Sequence, residues 1–297
     1  MPKARKKKIP LTAAHTGSKT TSSSSSSSSS KPESSRTVIR RFHVLLKQQT
    51  QLQKLLTSQA DPLGSKASEL ADVQSQIDEL GGLEKYQRMS TIGQGNDRGG
   101  GSEKIFVSWL RSRNMHKLQG KDKDRKLKLL EVGALKPNNY ASCSTWIDNT
   151  PMDLHSRHPA ILEQDFLLLN EENHEKWDLI SLSLVLNFVP DALNRGRMLR
   201  LAYQFLLPGG HLFVALPLSC LSNSRYLDFE HFNSLMTFLG FEEIEQKWRK
   251  GGKMVYFLFR KLVDSERRQE SSSKVPGHLS KKVVKRQGNR NNFAILL

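Results

Sequence analysis

Cysteine is nearly absent from this chain: Cys143 and Cys220 are the only two in 297 residues. That excludes a disulfide framework and leaves a cysteine-based metal cluster without ligands, so no metal is expected. Long apolar runs are missing too. None approaches the roughly 20 residues of a membrane span, so no membrane partner is expected. The basic N-terminus is followed by no hydrophobic stretch, which argues against a secretory signal. Residues 21–30 lack apolar groups altogether, being Thr21 and nine serines. Such a segment cannot bury enough surface to offset its ordering entropy, so 1–36 is read as a disordered tail.

Acidic residues are outnumbered, 29 against 46 basic ones, for a net charge of +17. The excess sits mostly at the ends. Residues 1–36 carry eight Lys/Arg against one acid, and 264–297 carry eight against three. Basic ends on a more balanced body suit a polyanionic partner, because each neutralised phosphate releases counterions. Lys3, Arg5, Lys6, Lys7 and Lys8 read as a nuclear or nucleolar address.

Apolar periodicity organises the rest. Ile39, Phe42, Leu45, Leu46, Leu52, Leu55 and Leu56 recur at helical steps, Asp61-Pro62-Leu63-Gly64 breaks the pattern, and a second helix runs from Ala67 to Leu80 until Gly81-Gly82. This predicts a helical hairpin over 37–92, whose apolar stripe must dock on the main domain or on a partner. A main domain over 93–263 and a basic C-terminal tail over 264–297 complete the chain. Within the main domain Ile105–Leu110 reads as helical. Short apolar runs follow at Leu127–Val132, Ser144–Asp148, Leu179–Leu184, His211–Leu216, Glu242–Gln246 and Met254–Phe259, with helices at Asn194–Leu207 and Glu230–Gly240. Strands alternating with helices predict an α/β fold with a mostly parallel sheet and a ligand site at its carboxyl edge. The last two runs are joined by the turn Arg249-Lys250-Gly251-Gly252, a hairpin. This order resembles the class I (Rossmann-like) methyltransferase topology, which implies a seven-stranded, mostly parallel sheet ending in an antiparallel hairpin, and not that of nicotinamide dehydrogenases.

Candidate chemistry falls at the strand ends. Glu131-Val132-Gly133 closes the first strand: glycine lets a cofactor approach the backbone, and the acid before it can reach an amino group. Ala134 and Leu135 stand where a dinucleotide fingerprint has further glycines. About 20 residues on, Asp153 is the choice for gripping ribose hydroxyls, with Asp148 as competitor and a helix cap as the plain reading of either. Asp165-Phe166 pairs an acid with a ring, which suits the amine and face of adenine. The fourth apolar strand runs into Asn187-Phe188-Val189-Pro190 at the cleft, and Leu207-Pro208-Gly209-Gly210 supplies a turn before the fifth.

These strings carry a resemblance. Tyr86-Gln87, Gly93-Gln94, Arg98-Gly99-Gly100, Leu130–Leu135, Asp165-Phe166, Ser181–Asp191 and Asn223-Ser224-Arg225-Tyr226 make the chain similar, over roughly 86–260, to the fungal 25S rRNA adenine-N1 methyltransferase family. The resemblance implies S-adenosyl-L-methionine bound at Gly133 and Asp153, and methylation of one adenine of large-subunit rRNA in pre-ribosomal particles. Animal relatives of this core act as S-adenosylmethionine sensors, so a non-catalytic binding module that regulates a protein partner is the alternative, and a small-molecule or protein methyltransferase a third. On the enzyme reading, Asn187 hydrogen-bonds the base edge and Phe188 and Tyr226 stack on a splayed adenine. Arg98 and Arg225 meet a carboxylate or phosphate, and the glycine-rich stretch 93–101 forms a lid.

Overall fold

The computed structural model describes residues 35–58, 64–93, 101–117, 125–263 and 274–297, all within one compact unit. Seven strands form one sheet in the order β3-β2-β1-β4-β5-β7-β6. They are β1 (Leu127–Val132), β2 (Ile147–Asp153), β3 (Leu162–Glu163), β4 (Trp177–Ser183), β5 (Leu206–Pro217), β6 (Phe241–Trp248) and β7 (Met254–Lys261). All pairings are parallel except those of β7, which runs antiparallel to both β5 and β6. The predicted α/β sheet with its terminal hairpin is the observed one.

Alternation along the central strands sends side chains to opposite faces. On one face Leu130, Ile180, Leu182, Leu212, Val214 and Phe257 are buried with α5 (Ala192–Phe205) and α7 (Phe229–Phe238). On the other, Leu129, Leu179, Phe213 and Leu258 pack with Phe106 and Leu110 of α4 (Ser102–Ser112). Both faces being covered, β1, β4 and β5 read as near-continuous apolar runs. Each fully buried Leu or Phe contributes about 1.5–3 kcal/mol.

Ahead of the sheet, α1 (Ser35–Ser58) and α2 (Ser65–Glu79) form the expected hairpin. Gly81-Gly82 stops α2 as expected, but both glycines take positive φ and turn the chain into a third helix, α3 (Gly82–Gly93). The three helices share a core of Val38, Phe42, Leu45, Val73, Ile77, Leu80 and Tyr86, which also receives Phe188. The stripe therefore docks on the main domain.

Three strand expectations shift. β2 continues past Asp148 through Pro151, because β3 pairs only with Met152 and Asp153 and Pro151 faces an open edge where no N–H is required. β3 itself is too short to leave a periodic signal. β5 begins at Leu206, running through the Pro208-Gly209-Gly210 turn with an irregular register against β4.

The C-terminal segment departs most from a tail. Residues 274–297 fold back on the domain through α8 (Gly277–Ser280) and bury Leu279, Phe293, Ala294 and Ile295. Gly196 on α5 makes room for this strap: a Cβ there would sit 1.8 Å from the Leu296 carbonyl oxygen.

Candidate active site

The carboxyl ends of β1, β2 and β3 present a row of acids. β1 hands over to Gly133 at φ +78°, and the N–H groups of Gly133 and Ala134 both donate to the Met152 carbonyl. A Cβ on Gly133 would lie 2.7 Å from Val185 Cγ2, so glycine lets this turn approach the loop after β4. Asp153 closes β2 beside that turn. It is half-buried, accepts from the His155 N–H at 3.0 Å, and burial pushes its carboxyl up. Asp148 lies five residues back, roughly 16 Å away at about 3.3 Å per residue, and is exposed. The strand thus sets Asp153, and not Asp148, at the carboxyl edge. Beyond β3, Asp165 accepts from the Leu167 N–H at 2.8 Å and caps a 3₁₀ turn that buries Phe166 in the core.

Glu131 has an occupation the sequence did not reveal. It is 7% exposed, and its two carboxylate oxygens accept from Asn139 Nδ2 at 2.6 Å and Asn149 Nδ2 at 2.8 Å. Burial raises its pKa and the two amides oppose that rise. The geometry shows a brace between the loop after β1 and strand β2. Buried Tyr140 stands nearby, its phenol raised first by burial and then by the Glu131 charge.

The loop after β4 is pinned from several sides. Ser183 Oγ lies 2.6 Å from Ser102 Oγ at the start of α4. Leu184 adopts φ +59°, a left-handed conformation that costs a non-glycine residue about 1–2 kcal/mol. Asn187 is buried, and its Oδ1 has no hydrogen-bond partner among the described residues. Phe188 packs on His43 (centroids 4.3 Å) and Tyr86 (5.3 Å), which joins the loop to α1 and α3. Asp191 caps α5 by accepting from Leu193 and Asn194, and pairs with Lys54 of α1 at 2.6 Å. Partial burial pushes its carboxyl up, but the Lys54 and backbone hydrogen bonds outweigh that and lower it.

Arg195 was not a sequence candidate, yet it grips this loop from below. It is 3% exposed and donates to the carbonyls of Val189 (2.8 Å), Pro190 (3.1 Å) and Ala294, while its guanidinium lies 4.4 Å from the Phe293 ring centroid. Burial lowers its pKa to about 10. The apolar run Ala294-Ile295-Leu296-Leu297 was the signal available for such docking.

The remaining candidates divide. Arg225 donates to Asn292 Oδ1 (3.2 Å) and the Gly288 carbonyl (3.3 Å), so its fork holds the strap. Tyr226 is half-buried, with Lys282 Nζ 5.7 Å from its ring centroid. Arg98 and most of the expected lid, residues 94–100, lie outside the described residues. Among the described residues no group of three His, Cys, Asp or Glu could hold a metal, and no helix is long and apolar enough to cross a membrane.

The donor set fits the implied cofactor. S-Adenosylmethionine offers an ammonium, a ribose diol and an adenine amine, all donors, to an edge whose side chains are carboxylates at successive strand ends. In the loop after β4, Asn187 Oδ1 is a buried acceptor with no partner among the described residues.

Comparison with known proteins points the same way. The family model described as 25S rRNA (adenine(2142)-N(1))-methyltransferase, Bmt2, matches residues 71–295. A 25S rRNA (adenine(2142)-N(1))-methyltransferase of Saccharomyces cerevisiae is 31% identical over 89% of this chain and 73% of its own length. A 25S rRNA adenine-N(1) methyltransferase of Schizosaccharomyces pombe is 34% identical over 87% of this chain and 89% of its own. Among solved structures, the N-methyltransferase NodS of Bradyrhizobium japonicum covers 51% of this chain and 86% of its own at 18% identity, with a TM-score of 0.36, too low to carry weight.

Proposed function

The chain belongs to the Bmt2 family of 25S rRNA (adenine(2142)-N(1))-methyltransferases, and from that premise we propose that it methylates N1 of one adenine of large-subunit rRNA. The match over residues 71–295 carries the reading, since it takes in every strand of the sheet and nearly all of the strap. S-Adenosylmethionine is the donor, and when bound it supplies a methyl group already activated on a sulfonium. Asp153 meets the ribose hydroxyls, Asp165 the adenine amine, and Gly133 keeps the turn open for both. Arg98 remains a candidate for the cofactor carboxylate.

Adenine N1 carries its own lone pair at neutral pH, so attack needs no strong base. The loop Val185–Pro190 agrees with this, for it contains no ionisable side chain. The protein's contribution is alignment. Asn187 Oδ1, buried and unsatisfied, accepts from the exocyclic amine of the target base and orients N1. Phe188 is held by His43 and Tyr86, and Arg195 holds the carbonyls of Val189 and Pro190, so the loop is ordered before RNA arrives. Methylation takes place on pre-ribosomal particles during ribosome assembly, in the nucleolus, to which the basic N-terminal run is the address.

The test is incubation of the purified protein and S-adenosylmethionine with large-subunit rRNA from cells lacking the gene, followed by nucleoside mass spectrometry. Appearance of 1-methyladenosine is the expected result. Cofactor binding with no transfer would move the reading to a sensor.

A further inference from the structure

The β6–β7 turn stands at the same edge of the sheet as the methyl-transfer loop. Because β7 runs antiparallel to β5, its first residue, Met254, pairs with the last residue of β5, Pro217. The turn that precedes Met254 therefore projects from the carboxyl edge, next to the end of β5. It reads Lys247-Trp248-Arg249-Lys250-Gly251-Gly252-Lys253, with four basic residues and no acid. The acids of β6 lie further up the strand, where Glu242 pairs with Arg260 and Glu245 with Arg113. Lys247, Arg249, Lys250 and Lys253 are all exposed.

Trp248 is the unusual member. It is 47% exposed at the end of an edge strand, and its ring rests against Phe229 with centroids 5.2 Å apart. A large ring packed on one neighbour and left in water costs solvation without serving the core. An aromatic set among cations is the composition of a surface that stacks bases while neutralising their phosphates. The turn is also firmly placed: the Leu218 N–H donates to the Lys253 carbonyl, and Gly251 takes φ +75°.

A second basic stretch flanks the same start of α7. The strap over 281–290 is exposed except at Arg286 and contains no acid. Its backbone is fixed because Arg286 donates to the carbonyls of Leu221, Ser224 and Leu227. Lys285 of the strap pairs with Asp228, the neighbour of Phe229, so strap and turn flank the same residues.

Resting on the rRNA reading, we propose that Trp248 and the lysines of this turn, continued by Lys281 and Lys282 of the strap, form the surface that holds the single-stranded RNA flanking the target adenine. Trp248 stacks a base and the lysines take phosphates. The turn lies three strand spacings from β4, roughly 15 Å, a span of a few nucleotides.

The test compares the full-length wild type with Trp248→Ala, Trp248→Phe and Lys250→Gln/Lys253→Gln. The substrate is large-subunit rRNA lacking the modification, and KM, kcat and the salt dependence of RNA binding are read. S-Adenosylmethionine affinity is measured alongside and should not move. Trp248→Ala should raise KM for RNA roughly 5- to 100-fold at little cost in kcat, with Trp248→Phe recovering most of it. The lysine pair should reduce the slope of log affinity against log salt by about 1.4, at about 0.7 per phosphate on a single strand. Methylation by the wild type with KM and slope unchanged in Trp248→Ala and the lysine pair would overturn the surface and leave the rRNA reading intact. Loss in Trp248→Ala without rescue by phenylalanine, the lysine pair being silent, also counts against it. A wild type that transfers no methyl group to rRNA overturns the function proposed above, and this surface with it.

Discussion

The two halves of the sheet's carboxyl edge differ in sign. At the ends of β1, β2 and β3 the chain places Glu131, Asp153 and Asp165; beyond β5 it places Lys247, Arg249, Lys250, Lys253 and the basic strap. The acidic half suits a ligand rich in donors and the basic half one made of phosphates, and the uncharged loop Val185–Pro190 lies between them. A single net charge of +17 conceals this division. The contrast explains how one edge can take a cationic cofactor and a polyanionic substrate without either occupying the other's place.

The severest way to break the acidic half is Gly133→Arg. The residue needs φ +78° and has Val185 Cγ2 2.7 Å from any Cβ, so the turn must move and the side chain fills the approach. Calorimetry should show cofactor affinity falling by more than about 100-fold, with circular dichroism of the fold retained. Asp153→Asn is milder, removing a charged acceptor for the ribose hydroxyls. About a 10- to 100-fold loss of cofactor affinity is expected from the usual worth of such hydrogen bonds, and Asp148→Asn should leave affinity unchanged.

Gly196→Ala separates the strap from the cofactor. Its Cβ would meet the Leu296 carbonyl at 1.8 Å, so the strap must lift and Arg195 loses Ala294. A stability loss of about 1–3 kcal/mol in thermal unfolding is expected, with cofactor affinity nearly unchanged. A large effect on cofactor binding would show that the two halves are not separable.

The smallest effect concerns the junction with α1. Burial first, and Lys47 second, lower the His43 pKa from 6.5 to about 4. Between those values the unfolded chain takes up a proton that the folded one refuses, so stability falls as pH drops from 6.5 towards 4 and is flat above. His211 behaves alike, also at about 4. His43→Phe should therefore reduce the slope of melting temperature against pH in that window without abolishing it.

The fold was largely legible because buried parallel strands write themselves as apolar runs. What escaped had weak local signals. β3 is two residues long, β2 passes through a proline tolerated at an open edge, and α3 follows a glycine pair that reads as a stop. The strap was hidden by its charges: its lysines advertise a tail, while Gly196 and Arg195, far away in sequence, hold it down. In the site, the sequence put Gly133 and Asp153 at strand ends and Asn187 in the loop beyond the fourth strand, which is where they stand, but gave no sign of the short strand ahead of Asp165. It did not show that Glu131 is braced by two asparagines, or that Arg225 turns to the strap, since both depend on contacts made only after folding.

The most direct test of the central claim is nucleoside mass spectrometry of large-subunit rRNA from cells with and without this gene. The account expects one 1-methyladenosine to vanish on deletion, to return with the wild type, and to stay absent with Gly133→Arg. An unchanged modification profile in the deleted cells would contradict it.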